Sequence, residues 1–258
     1  MNKHFIEPID TPNNQLERVG GKGRSLSSLT QAGYNVPTGF FITTNAYRTF
    51  IQENNLKKSI LENVQPEVVG TAVLFDAASE RIRTIILNAH IPPFIANEIK
   101  QAHNDISTDS TRFAVRSSAN AEDLPDLSFA GQQETYLHVA DASDILKTVL
   151  MSWASLWTPQ AMSYRHQNGI DSETVAMATV VQQMVKSEVS GVLFTANPLT
   201  GDRSEQVINS SYGLGEAIVS GQITPDTFIV NGETRVTKQT VIGSKQHEIV
   251  GRESGGTR

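Results

Sequence analysis

The stretch Val19-Gly20-Gly21-Lys22-Gly23 sets three glycines around one lysine. Without Cβ atoms, backbone N–H groups can approach an anion closely, and a helix starting behind them would add its positive end. Lys22 supplies a compact charge suited to phosphate. The same residues would also make a plain glycine-rich turn with a solvated lysine. A Walker A loop is excluded, because Gly23-Arg24-Ser25 follows Lys22 where that motif places Ser or Thr directly.

A second set is Arg116-Ser117-Ser118-Ala119 with the polar loop running through Gly131-Gln132-Gln133. A guanidinium offers planar paired donors to phosphate oxygens, and the two serines could add neutral ones. Alternatively, Arg116 is a surface residue beside a capping Ser-Ser pair. Glu122, Asp123 and Asp126 could hold a metal or simply form turns. In Val180-Val181-Gln182-Gln183-Met184-Val185, an apolar strand ends in Gln and Met. It could wall an adenine pocket, with Met184 as an adaptable surface, or be an ordinary core strand. Tyr212-Gly213-Leu214-Gly215-Glu216-Ala217 lacks the full GxGxxG spacing and reads more simply as a glycine-rich helix entry. GxSxG, HExxH and a His pair at i, i+4 are all absent, and the six histidines are scattered.

These residues need elements to position them. Leu26 and Leu29 predict a short helix after the loop at 19–23, stopped near Gly33. Val36 to Ile42 reads as extended, and a helix is expected from Asn45 to Glu53. Leu74, Ala78, Ile82, Ile85 and Ala89 predict a helix over 71–89, with another from the Pro92-Pro93 break to Ala102. Phe113 to Arg116 and Thr135 to Val139 read as strands. Residues 142–168 read as helix in two pieces, broken near Pro159. Strand-like runs follow at Val175–Val185, Gly191–Thr195, Gln206–Ser211, Thr227–Val230 and Thr234–Ile242. Helices first and strands last predict an α+β fold.

Composition sets the outer bounds. The 258 residues carry 21 Lys+Arg against 27 Asp+Glu, with 38% apolar residues and no cysteine. The chain is long enough to bury a sizeable core, and disulfides, thiolate metal sites and a cysteine nucleophile are excluded. The net charge of -6 argues against non-specific nucleic-acid binding. No run approaches the roughly 18 apolar residues of a membrane span. The opening MNKHFIEPID does not resemble a signal peptide, so the expectation is a cytoplasmic protein, with no nucleic-acid or membrane partner.

Several segments, taken in order, carry a resemblance. They are Val19 to Gly23, Val36-Pro37-Thr38-Gly39-Phe40, Phe113 to Ala119, Ala121 to Pro125, Ser128 to Thr135, Ser190 to Pro198, Gly213 to Glu216, and Pro225-Asp226. Together they resemble the N-terminal ATP-binding domain of the phosphoenolpyruvate synthase and pyruvate phosphate dikinase family. Phe194 to Gly201 looks more like the rifampicin phosphotransferase branch than like the enterobacterial synthases.

The resemblance implies an ATP-grasp-like fold whose two lobes close over a nucleotide. Residues 1–183 would form the first lobe, and 184–258 a linker and a truncated second lobe. Lys22 and Arg116 would contact phosphates and serve catalysis. Gly131 and Thr135 would belong to the phosphate-facing loop and strand. Gln182 would approach the nucleotide, and Met184 and Val185 would form the adenine-side linker. Similar enzymes pass a phosphoryl group from ATP to a histidine on a swivelling domain. It then goes to pyruvate or an antibiotic hydroxyl, with AMP and inorganic phosphate as the other products. The phosphohistidine domain and the acceptor-binding domain would lie outside this chain, as would the Mg2+ ligands, expected beyond residue 258. A nucleotide-binding module without chemistry of its own is the alternative.

Overall fold

The structure is a computed structural model that describes residues 4–12, 14–120, 135–252 and 255–258. It separates into two units, Met1–Met184 and Val185–Arg258.

In the first unit, β1 (Ile6–Pro8) leads into α1 (Leu16–Gln31), β2 (Gly39–Ile42), α2 (Thr44–Glu53) and α3 (Leu56–Glu62). A hairpin of β3 (Glu67–Val69) and β4 (Ala72–Leu74) precedes α4 (Asp76–Leu87) and α5 (Pro93–Ile106). Next come β5 (Phe113–Ala119), β6 (Thr135–Val139), α6 (Ala142–Ser155), α7 (Pro159–Gln167) and β7 (Met177–Gln183). Five strands form one sheet in the order β1-β2-β7-β5-β6, and each neighbouring pair is antiparallel.

The central strand β7, Met-Ala-Thr-Val-Val-Gln-Gln, is buried for almost its whole length. A run without polar alternation is what a strand covered on both faces requires. On one face Val180 packs with Ile9, Val19 and Phe41, under α1. On the other, Val181 joins Phe40, Ile42, Val115 and Trp153 in the main core. There α6 turns Ile145, Val149, Ser152 and Trp153 inward at helical spacing. The Ser152 and Thr179 hydroxyls are 3.1 Å apart, and the Trp153 ring lies 4.8 Å from Phe50 and 5.8 Å from Tyr47. Asp141 caps α6 by accepting the Asp144 N–H at 2.9 Å.

Four expectations change. The helix expected over 71–89 begins only at Asp76, because Gly70 turns with φ 62 and the flanking valines pair as β3 and β4 instead. The strand ending at Arg116 continues to Ala119, since β7 pairs with it that far. The helix after Pro93 runs four residues past Ala102. The loop expected at 19–23 is helical on either side of one residue, Gly20.

The second unit is an antiparallel sheet of β8 (Val189–Phe194), β9 (Glu205–Tyr212), β10 (Asp226–Asn231) and β11 (Thr237–Val241) in the order β11-β10-β9-β8, with a short α8 (Glu216–Val219) after β9. Side chains close its turns. Asn197 Oδ1 accepts the Leu199 N–H at 3.0 Å, and Asn231 Oδ1 accepts the Thr234 N–H at 2.8 Å. Lys245 pairs with Asp226, which holds that carboxyl below its ordinary value. Together the two units make an α+β chain. No described helix is long and apolar enough to cross a membrane.

Candidate nucleotide site

The geometry starts at Gly20, whose φ of 71 and ψ of -179 interrupt α1. Only glycine adopts this backbone readily. A Cβ there would sit 2.2 Å from the Ser118 carbonyl oxygen, so the chain also passes too close to β5 for any side chain. Ser118 secures the break from both sides. Its hydroxyl donates to the Val19 carbonyl at 2.8 Å and accepts the Gly23 N–H at 3.2 Å. It thus satisfies one N–H at the start of the second helical segment, as a cap would. Lys22 is half-buried in this turn.

Strand alternation then assigns the faces. Ser118 faces α1, so Arg116, two residues earlier, faces it as well. Arg116 pairs across with Val180 on β7, which lies in the cluster under α1. It also pairs with Thr135 on β6, an exposed residue. Gln182, two residues beyond Val180, is on the same face, and its amide donates to the Pro37 carbonyl at 3.1 Å. Thr135, Arg116 and Gln182 therefore share one face of the sheet, the face that α1, which carries Lys22, covers.

Met184 ends the row. Its N–H donates to the Arg112 carbonyl at 2.8 Å, and its sulfur accepts the His138 N–H at 2.9 Å. His138 has φ 61, and the β5–β6 register shifts beside it. Val185 opens the second unit and is 62% exposed. Gly131, with Glu122, Asp123 and Asp126, lies outside the described residues.

Burial lowers the Arg116 pKa by stripping water from the cation. Among the described residues, no carboxylate pairs with it. A desolvated guanidinium with no counter-ion among the described residues suits an anionic ligand. The expectation that both serines face a phosphate changes. Ser117 is paired with Thr179 on the opposite face, and Ser118 holds α1. Sequence reading also passed over Glu7, which is buried in β1 and pairs with Arg18, one turn before Lys22. A single Glu in a three-residue strand carries no motif to find it by. Among the described residues, no three His, Asp or Glu side chains gather to hold a metal ion.

The clamp makes a measurable prediction. Ser118→Ala leaves the Val19 carbonyl and the Gly23 N–H without their buried partner and should destabilise the chain by about 1–3 kcal/mol. Urea unfolding reads this directly, and a loss below about 0.5 kcal/mol, the range of an ordinary surface change, removes the role assigned to Ser118.

Residues 16–258 match the family described as pyruvate phosphate dikinase, AMP/ATP-binding domain. The chain belongs to that family. Relatives of this ATP-binding domain include the phosphoenolpyruvate synthase of Pyrococcus furiosus, 41% identical over 92% of this chain and 33% of that protein. The probable phosphoenolpyruvate synthase of Methanocaldococcus jannaschii is 42% identical over 98% of the chain and 22% of its own length. The rifampicin phosphotransferase of Streptomyces sviceus is 41% identical over 99% of the chain and 29% of its length. The domain thus spans between a fifth and a third of these relatives. Identities of 41% and 41% to a synthase and an antibiotic kinase do not separate the two branches.

Proposed function

We propose that this chain binds ATP on the α1 face of its five-stranded sheet and serves an ATP-dependent phosphotransferase. The observation that carries the reading is the Gly20–Gly23 turn, clamped by Ser118 beside the desolvated Arg116. Lys22, Arg116 and Thr135 take the phosphates, with Gly131 contributing from the adjoining loop. Gln182, Met184 and Val185 take the nucleoside side. From the Arg116–Val180 row to Met184 is four strand residues, about 14 Å at about 3.4 Å each, which suits an extended nucleotide. An ATP-grasp-like fold, with residues 1–183 as first lobe and 184–258 as linker and part of the second, belongs to the same proposal.

The relatives' names and the chemistry of phosphoryl transfer support the reaction class. One phosphoryl group of ATP passes to a histidine on a swivelling domain, then to pyruvate or an antibiotic hydroxyl. To leave AMP and inorganic phosphate as well, one phosphoanhydride link is broken by transfer and the other by water. Mg2+ would neutralise the phosphate oxygens. This chain's part is to hold the nucleotide and set its phosphates against cations.

Thermal unfolding tests the reading. ATP at a hundred times its Kd should stabilise the chain by about 2.7 kcal/mol, or on the order of 5–10 °C in a domain this size. GTP should do less if Met184 and Gln182 read adenine. An unchanged Tm with saturating ATP defeats the proposal. Incubating the chain with ATP and a histidine-bearing swivelling domain should yield AMP and phosphate. ATP binding without AMP would leave only a non-catalytic nucleotide module.

A further inference from the structure

The opposite side of the first unit's sheet holds a cavity of about 720 Å³ between α2, α3 and the segment before β7. It lies within the roughly 300–1,000 Å³ of small-molecule sites. Its buried wall includes Tyr47, Trp157, Ile60 and Val175, all members of the main core with Val115 and Val181. The α1 face, with Arg116 and Val180, lies across the sheet. We propose that this cavity is a second ligand site, for an amphiphilic anion: an aromatic or aliphatic body carrying a carboxylate, sulfonate or phosphate.

Charge points to the anion. Arg48, Lys57 and Lys58 line the cavity with one carboxylate, Glu173, which pairs with Lys57 at 2.9 Å; Lys58 also pairs with Glu62 of α3 at 3.7 Å, a solvent-exposed pair that an anionic ligand can replace. Arg48 is exposed and donates to the Thr44 hydroxyl at 3.3 Å. A further cation lies in the core. Arg165 is 1% exposed and lies 5.0 Å over the Trp157 ring. It donates to the Leu156 carbonyl at 2.7 Å, while its Nε and Nη2 have no hydrogen-bond partner among the described residues. Among the described residues, no carboxylate neutralises it. The wall containing Trp157 and Tyr47 therefore lies beside a buried positive charge, which solvent and salt screen poorly.

Tyr47 adds direction. Its hydroxyl oxygen accepts the Trp157 indole N–H at 3.1 Å, leaving its own proton to donate. Burial pushes its pKa up to about 12, so the proton stays. The ligand's apolar body would lie against Ile51, Ile60 and Trp157, one acceptor atom at Tyr47, and its charge toward Arg48 and Lys58. This assignment stands independently of the nucleotide site.

The probe is 8-anilinonaphthalene-1-sulfonate, titrated into the full chain. The chain's two tryptophans, Trp153 and Trp157, both lie in this core, so a dye bound here accepts their excitation energy. The expected result is one dye per chain with energy transfer, and a Kd unchanged by saturating ATP. Arg48→Ala with Lys58→Ala should raise that Kd tenfold or more. The uncharged N-phenyl-1-naphthylamine should bind at least tenfold more weakly than the sulfonate. Arg48→Gln alone, an exposed change that removes the charge but keeps a polar side chain, should give a threefold or greater loss and serves if the double variant folds poorly. Equal binding by the variants, equal binding by the uncharged dye, displacement by ATP, or several dyes without transfer would each overturn the assignment.

Discussion

Gly20→Val is expected to be the most damaging single change in the first unit. The φ of 71 and ψ of -179 at Gly20 lie in a region that side-chain-bearing residues enter at about 1–3 kcal/mol. The new Cβ would meet the Ser118 carbonyl oxygen at 2.2 Å. That oxygen belongs to a strand paired with β7, so it cannot swing away, and overpacking of this kind adds about 1–3 kcal/mol. The sum is a loss of about 2–6 kcal/mol by these two effects, with the α1 turn pushed off Ser118. Gly33→Val is the control. Gly33 has a φ of 81, but a Cβ added there would meet nothing within 4 Å, so the variant carries backbone strain without the clash. Urea midpoints should fall much further for Gly20→Val, and ATP affinity should fall with them. Equal midpoints for the two variants would mean that the close approach to β5 does not matter.

The second large effect divides binding from stability. Removing both cations, Lys22→Ala with Arg116→Ala, should weaken ATP binding more than about 100-fold. Each charge-assisted contact is worth about 1.5–3 kcal/mol, and about 1.4 kcal/mol is tenfold. The two share one ligand, so their effects need not add. Stability should respond differently. Arg116 is a desolvated cation without a carboxylate among the described residues, so Arg116→Ala alone should leave unfolding stability unchanged or raised. Arg116→Lys keeps the charge but loses the planar fork, and should recover only part of the affinity. Calorimetry and urea unfolding on the same variants separate the cases. Undiminished ATP affinity in the double variant would refute the phosphate role, and a large stability loss in Arg116→Ala would make Arg116 a structural residue.

Much of the local structure was legible along the chain. Residues 142–168 read as helix in two pieces, and Pro159 marked the separation of α6 from α7. Strand-like runs marked the strands of the second unit, whose sheet follows chain order and so needs little long-range information. The first unit was harder. Its sheet sets β7 between β2 and β5, strands from distant parts of the chain. The short β1 and the hairpin at β3 and β4 carry too few residues for a period to declare itself.

The candidate site divides along the same line. Glycines, a lysine, an arginine and their order are properties of the amino-acid string, and they sufficed to place the chain in its family and to propose phosphate chemistry. The direction of each side chain was not among them. Ser117 and Ser118 look equivalent in sequence, yet one faces the helical core and the other bridges Val19 and Gly23. The reason is that strand pairing is non-local. The hydrogen bond from Gly23 to Ser118 joins residues 95 positions apart, and only the folded sheet determines which neighbour each alternating side chain meets.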